Sequence, residues 1–105
     1  MMTIQDLACR LEGSDEYDRM DACEDFAAES HLMDPVTALR ASRLLVSRLS
    51  IESSQTVRDS IFRCLRKIPP EAVAAPAVEL LNSDDPYVRN EAVALLSHGG
   101  KAAVA

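Results

Sequence analysis

The sequence predicts an all-α fold, a short solenoid of about three antiparallel helical hairpins, and three observations carry that expectation. First, the chain is 48% apolar yet has no Trp, two Phe and two Tyr, with only three Gly in 105 residues. Its core must come from Ala, Leu, Val and Ile, a composition that favours helix before any pattern is considered. Second, helix-start signals recur at short intervals, leaving connections that allow only fold-back between neighbours. Third, the stretch DDPYVRNEAVALL at 84–96 has a looser copy, SSQTVRDSIFRCL, at 53–65, which is 31 residues earlier. At this length the chain is one domain, 1–105, whose elements all share a single core.

The elements follow in order. A first helix is expected over roughly 3–12. A second, over 15–29, opens at Ser14, with Asp15 and Glu16 in its first turn. The third, over 35–50, follows Asp34-Pro35, an acid at the cap and a proline where the missing N–H has no partner to lose. Ser53-Ser54 starts the fourth, over 54–67. Pro69-Pro70-Glu71 breaks that helix and opens the fifth, over 70–82. Asp85-Pro86 repeats the acid-proline start for the sixth, over 86–98, and Gly99-Gly100 is read as its stop. The remainder, Lys101 to Ala105, is helix-prone but too short to hold alone, and reads as a tail or the start of a further unit.

Apolar periodicity agrees with this division. In the fourth helix Val57, Ile61, Cys64, Leu65 and Ile68 share one face, with Asp59, Arg63 and Arg66 opposite. In the sixth, Val88, Ala92, Leu95 and Leu96 face inward, with Asn90, Ala94 and Ser97 outward. In the third, Ala38, Ala41, Leu45 and Leu49 oppose Arg40, Arg43 and Ser47. Each stripe needs a neighbour to bury it.

A recurring helical hairpin is the signature of stacked units. Aligning the second helices sets Val88-Arg89 over Val57-Arg58, Ala92 over Ile61, Val93 over Phe62 and Leu96 over Leu65. A fainter copy lies earlier, with Asp18-Arg19 in place of Val-Arg and Ala22, Cys23 and Phe26 at core positions. Three units result: a degenerate one over 1–33, then 34–68 and 69–100. Asp18 and Asp25 stand where later units carry Val or Leu, as a polar terminal cap would. At the other end Val93, Leu95 and Leu96 are followed by GGKAAVA with nothing polar to close the stack. Either the array continues or another subunit covers that end, so a homo-oligomer through the C-terminal end is one expectation.

The segment AVAAPAVELLNSDDPYVRNEAVALLSHGG, at 72–100, resembles a unit of the HEAT-like repeats first described in phycobilisome lyases, within the wider HEAT and armadillo group. Pro76 falls inside the first helix, Asp84-Asp85 form the turn and Val88-Arg89 open the second helix; the likeness is strong over 53–100 and weak over 1–33. The resemblance implies a structural ladder of turn acids and helix arginines, Asp85 with Arg89 and Asp15 with Arg19. In the middle unit Arg58 is present but Ser54 replaces the acid. It also implies either a protein-binding scaffold or an accessory subunit of a bilin lyase, a chaperone-like factor for phycobiliproteins. So few aromatic residues offer little with which to stack a bilin.

Candidate chemistry is sparse. The chain has no GxGxxG, P-loop, GxSxG or zinc-finger spacing. Cys9, Cys23 and Cys64 are odd in number, lack CxxC spacing and follow no secretory leader, which points to a reducing cytoplasm and to core packing rather than metal or cofactor binding. His31 and His98 sit at helix ends. No enzymatic activity and no cofactor are expected. No run of residues is long and apolar enough to span a membrane.

Charge is more informative. The net charge is -6 with a pI near 4.8, which weighs against nucleic acid as a ligand. Its distribution is uneven: ten acids face Arg10 and Arg19 over 1–39, and seven bases face Glu52 and Asp59 over 40–67. Arg63, Arg66 and Lys67, with Asp59, Arg40, Arg43 and Asn90, form the candidate partner-binding set. An acidic segment of another protein is the expected partner, and nucleic acid on the Arg stripe is the lesser alternative.

Overall fold

The computed structural model describes the backbone of residues 2–104 and the side chains of 2–97; the side chain expected at His98 and the terminal Ala105 lie outside the described residues. All the regular structure within them is helical: α1 (Ile4–Leu11), α2 (Glu16–Ala28), α3 (Pro35–Leu49), α4 (Gln55–Lys67), α5 (Pro70–Glu79) and α6 (Pro86–Val104). Single 3-10 turns at Ser30–Leu32 and Leu80–Asn82 tighten the exits of α2 and α5.

The starts are made by side chains that satisfy otherwise orphaned backbone donors. The Thr37 N–H donates to Asp34 at 2.7 Å, and Val57 N–H donates to the Ser54 hydroxyl. The backbone N–H of Thr37 holds the Asp34 carboxyl below its usual range. At α2 the cap is Asp15 rather than Ser14: its carboxylate reaches the Tyr17 N–H at 2.9 Å, one residue further in than expected. A capping box at α1, Thr3 with Asp6, went unread in the sequence.

One expected stop is overturned. Gly99-Gly100 does not end the last helix, because α6 runs through both to Val104. Each glycine costs about 1 kcal/mol against alanine in a helix, which weakens it without forbidding it, and Lys101-Ala102-Ala103 are strong helix formers.

Helix contacts follow a simple rule. Each hairpin partner touches its mate, α1 with α2, α3 with α4 and α5 with α6. Across hairpins, odd helices meet odd (α1–α3, α3–α5) and even meet even (α2–α4, α4–α6). The extents of 39 × 32 × 16 Å agree, since two helix layers 8–10 Å apart give a thin dimension of about this size.

The core lies between the layers. Leu7, Leu11, Phe26, Leu45, Ile61, Phe62, Leu65 and Ile68 are among its fully buried large side chains. The expected inward faces of the third, fourth and sixth helices are buried, with Leu96 only partly so, and Arg40, Arg43, Arg63, Arg66, Asn90, Ala94 and Ser97 are exposed. Asp18 and Asp25 are exposed as well. Among the described residues no helix is long and apolar enough to cross a membrane.

Candidate functional site

Two arginines join the hairpins, and they do so differently from the expected ladder. Arg19, in the first turn of α2, donates from Nε and Nη2 to the two oxygens of Glu52 at 3.0 and 2.9 Å, and from Nη1 to the Gly13 carbonyl at 2.8 Å. Glu52 lies in the α3–α4 connection, is 5% exposed, and also accepts from Arg48 Nε and the Ser54 N–H, each at 3.1 Å. Burial by itself would push the Glu52 carboxyl up, but Arg19, the Ser54 N–H and Arg48 together hold it below the ordinary range.

One hairpin further on, Arg58 of α4 donates to Asp85 at 2.5 Å, and this contact holds the Asp85 carboxyl low. The Arg58 guanidinium lies 5.3 Å from the Tyr87 ring centroid, and that ring meets Phe62 edge-on at 5.8 Å. The Tyr87 hydroxyl donates to Asp59; burial, then this carboxylate, pushes the phenol up.

The side-chain pairs Asp15–Arg19 and Asp85–Arg89 therefore do not form. Each cap carboxylate folds over its own helix start, onto Tyr17 N–H or Tyr87 N–H, while Arg19 and Arg58 reach across to Glu52 and Asp85, the acids of the next within-hairpin connections. Arg89 donates to the Ser83 carbonyl at 2.7 Å, as Arg19 does to Gly13. The acid that seemed missing at Ser54 is Glu52, two residues earlier. The signal for it was present in the sequence: an acid just ahead of a helix cap in an otherwise basic segment.

The candidate partner-binding residues divide into four groups. Asp59 is committed to Tyr87 and Gln55, and Arg66 to Glu91 of α6, so neither is a free group on an open face. Arg40 and Arg43 are exposed on the side of α3 opposite its buried stripe, in the odd-helix layer, and are not brought together with the α4 bases. Asn90 is exposed on α6. Arg63 and Lys67 remain: with Glu24, Ala27, Ala28 and Ser60 they border a groove of about 290 Å³ between α2 and α4. Both are exposed, and among the described residues neither forms an ion pair.

Cys23 and Cys64 are buried at the base of that groove, and burial pushes both thiols up to about 12. They are held as neutral thiols at physiological pH, poor nucleophiles and poor metal ligands in that form. Cys9 is exposed.

Tyr87 offers a direct measure of the α4–α6 junction. Tyr87→Phe keeps the ring contacts and should cost about 1 kcal/mol in urea unfolding. Tyr87→Ala also removes the Phe62 and Arg58 contacts and should cost about 3 kcal/mol. Equal losses would mean that the hydroxyl bond carries the junction.

No protein-family model, curated protein or solved structure matches this chain.

Proposed function

We propose that the chain is a short α-solenoid of the HEAT-like kind, with units over 1–33, 34–68 and 69–100, that acts as a non-enzymatic protein-interaction scaffold. The observation that carries the reading is the groove between α2 and α4, flanked by two unpaired bases, Arg63 and Lys67, on a framework fixed by recurring Arg-carboxylate links. A groove of apolar floor, with two bases on its α4 rim and Glu24 on its α2 rim, suits an extended acidic segment of another protein lying toward α4, whose carboxylates meet Arg63 and Lys67 while a small apolar side chain enters between the helices. The repeated cross-hairpin pairing supports the stacked-unit part, since Arg19 and Arg58 occupy equivalent places and each holds the acid of the next within-hairpin connection.

The test is direct. A fluorescein-labelled peptide rich in Asp and Glu, titrated with the chain, should bind with an affinity that falls as salt rises. Arg63→Glu with Lys67→Glu should abolish binding while leaving the melting temperature nearly unchanged, because both side chains are exposed. Arg40→Glu with Arg43→Glu, on the other layer, should leave it intact. Equal binding by both double variants would remove the α4 rim from the mechanism.

A further inference from the structure

Three side chains at one end of the molecule lack what their equivalents have, and the other end carries it. The α4–α6 junction is the template: Arg58, Asp59 and Phe62 on α4 receive Asp85 and Tyr87 at the start of α6. At the repeat spacing of 31 residues, α6 offers Arg89, Asn90 and Val93 in the same places. Phe62, packed on Tyr87, is 1% exposed, whereas Val93 is 54% exposed. Arg58 holds Asp85, whereas among the described residues Arg89 meets no carboxylate.

At the opposite end, α2 begins Asp-Glu-Tyr-Asp-Arg where α6 begins Asp-Pro-Tyr-Val-Arg. The local geometry is the same. Asp15 accepts from Tyr17 N–H and Asp85 from Tyr87 N–H, both at 2.9 Å, and Arg19 and Arg89 each reach a carbonyl six residues back. Yet Tyr17 is 63% exposed, and among the described residues Asp15 has no basic partner in an ion pair.

We propose that the chain docks head to tail on a second copy of itself, with Asp15 and Tyr17 of one copy seated on Arg89, Asn90 and Val93 of the next. The register is the one by which α6 sits on α4. Arg89 donates to the Asp15 carboxylate, the Tyr17 ring covers Val93, and the Tyr17 hydroxyl donates to the Asn90 amide oxygen in the place of Asp59. The inference rests on the stacked-unit part of the proposed function and not on its acidic partner. Because the two surfaces differ, the contact is heterologous and leaves a free end at each step, so it extends to an open series rather than closing as a two-fold dimer.

Asp18 opposes the contact. Its equivalent, Val88, is buried and borders a groove with Ser47 and Ser50, whose equivalents at the repeat spacing are the exposed Val78 and Leu81. Docking therefore brings the Asp18 carboxylate against apolar side chains, which keeps the association weak and dependent on concentration.

Sedimentation velocity of the full chain over rising concentration tests this. The average mass should climb without a plateau at the dimer, and Asp18→Val should move the onset to roughly tenfold lower concentration. Arg89→Glu and Tyr17→Asp should each stay monomeric. Mixed together, these two variants should form a one-to-one dimer and nothing larger, since each retains one competent end; a variant that had merely unfolded could not do so. A monomeric Asp18→Val chain at the highest concentration, or a mixture that stays monomeric, would overturn the proposal. Binding of the acidic peptide, measured on the Tyr17→Asp chain, reads the α4 groove separately, so either idea can fail without the other.

Discussion

Replacing Glu52 with Ala should destabilise the protein by about 3–5 kcal/mol, because it leaves the buried Arg19 guanidinium without its counter-charge. For a domain whose whole stability is on the order of 5–15 kcal/mol, that is a large share. Arg19 keeps only the Gly13 carbonyl, Arg48 loses its partner, and the Ser54 N–H loses its acceptor. Urea unfolding measures the loss. Arg19→Met combined with Glu52→Leu should cost much less than the sum of the single changes, since the cost comes from orphaning a charge rather than from losing the pair. The pH dependence has a definite sign. The folded-state Glu52 carboxyl lies below its ordinary value of 4.5, so its contribution is present above that value and is lost as pH falls through the lower, folded one. Glu52→Gln should therefore unfold with a shallower acid dependence than the parent chain. An unchanged acid profile would mean that Glu52 is not the group that links protons to folding.

The sequence made the helices legible because their signals are local. Asp34-Pro35 and Ser54 each satisfy a backbone donor within a few residues, and a period of 3.6 sorts Ile61 from Arg63 without knowledge of any neighbour. What crosses between hairpins was less legible. Arg58 and Arg89 look alike in sequence, but one holds a carboxylate and the other a carbonyl, because only Arg58 meets an acid, Asp85, at the start of a helix packed against its own. Glu52 was hidden for the same reason: its importance comes from Arg19, 33 residues away, and not from its own neighbours. The basic middle was legible as composition but not as a surface, since Arg48 turns inward to Glu52, Arg66 pairs with Glu91, and Arg40 and Arg43 occupy the other layer. Gly99-Gly100 failed as a stop because a glycine pair weakens a helix without supplying a terminating contact.

Ala92→Asp should be the most damaging change to α6, with a loss of about 4 kcal/mol or more, whereas Ala94→Asp two positions along should be within about 0.5 kcal/mol of the parent. The two substitutions add the same atoms to the same helix and differ only in where they point. Ala92 is fully buried in the cluster that includes Leu65, Val73 and Leu95, and α6 packs there on both α5 and α4. Ala94 is exposed. The introduced carboxyl at 92 has two unfavourable options, to stay charged in apolar surroundings or to take up a proton, and the second raises its folded-state pKa. Its penalty should therefore shrink as pH is lowered toward ordinary carboxylate values, opposite in sign to the loss that Glu52 produces in the parent chain. Urea unfolding of the two variants at pH 7 and near pH 5 separates the causes. A loss at position 92 that does not change with pH would point to steric overpacking rather than charge, and equal losses at 92 and 94 would mean that α6 is turned differently on its neighbours.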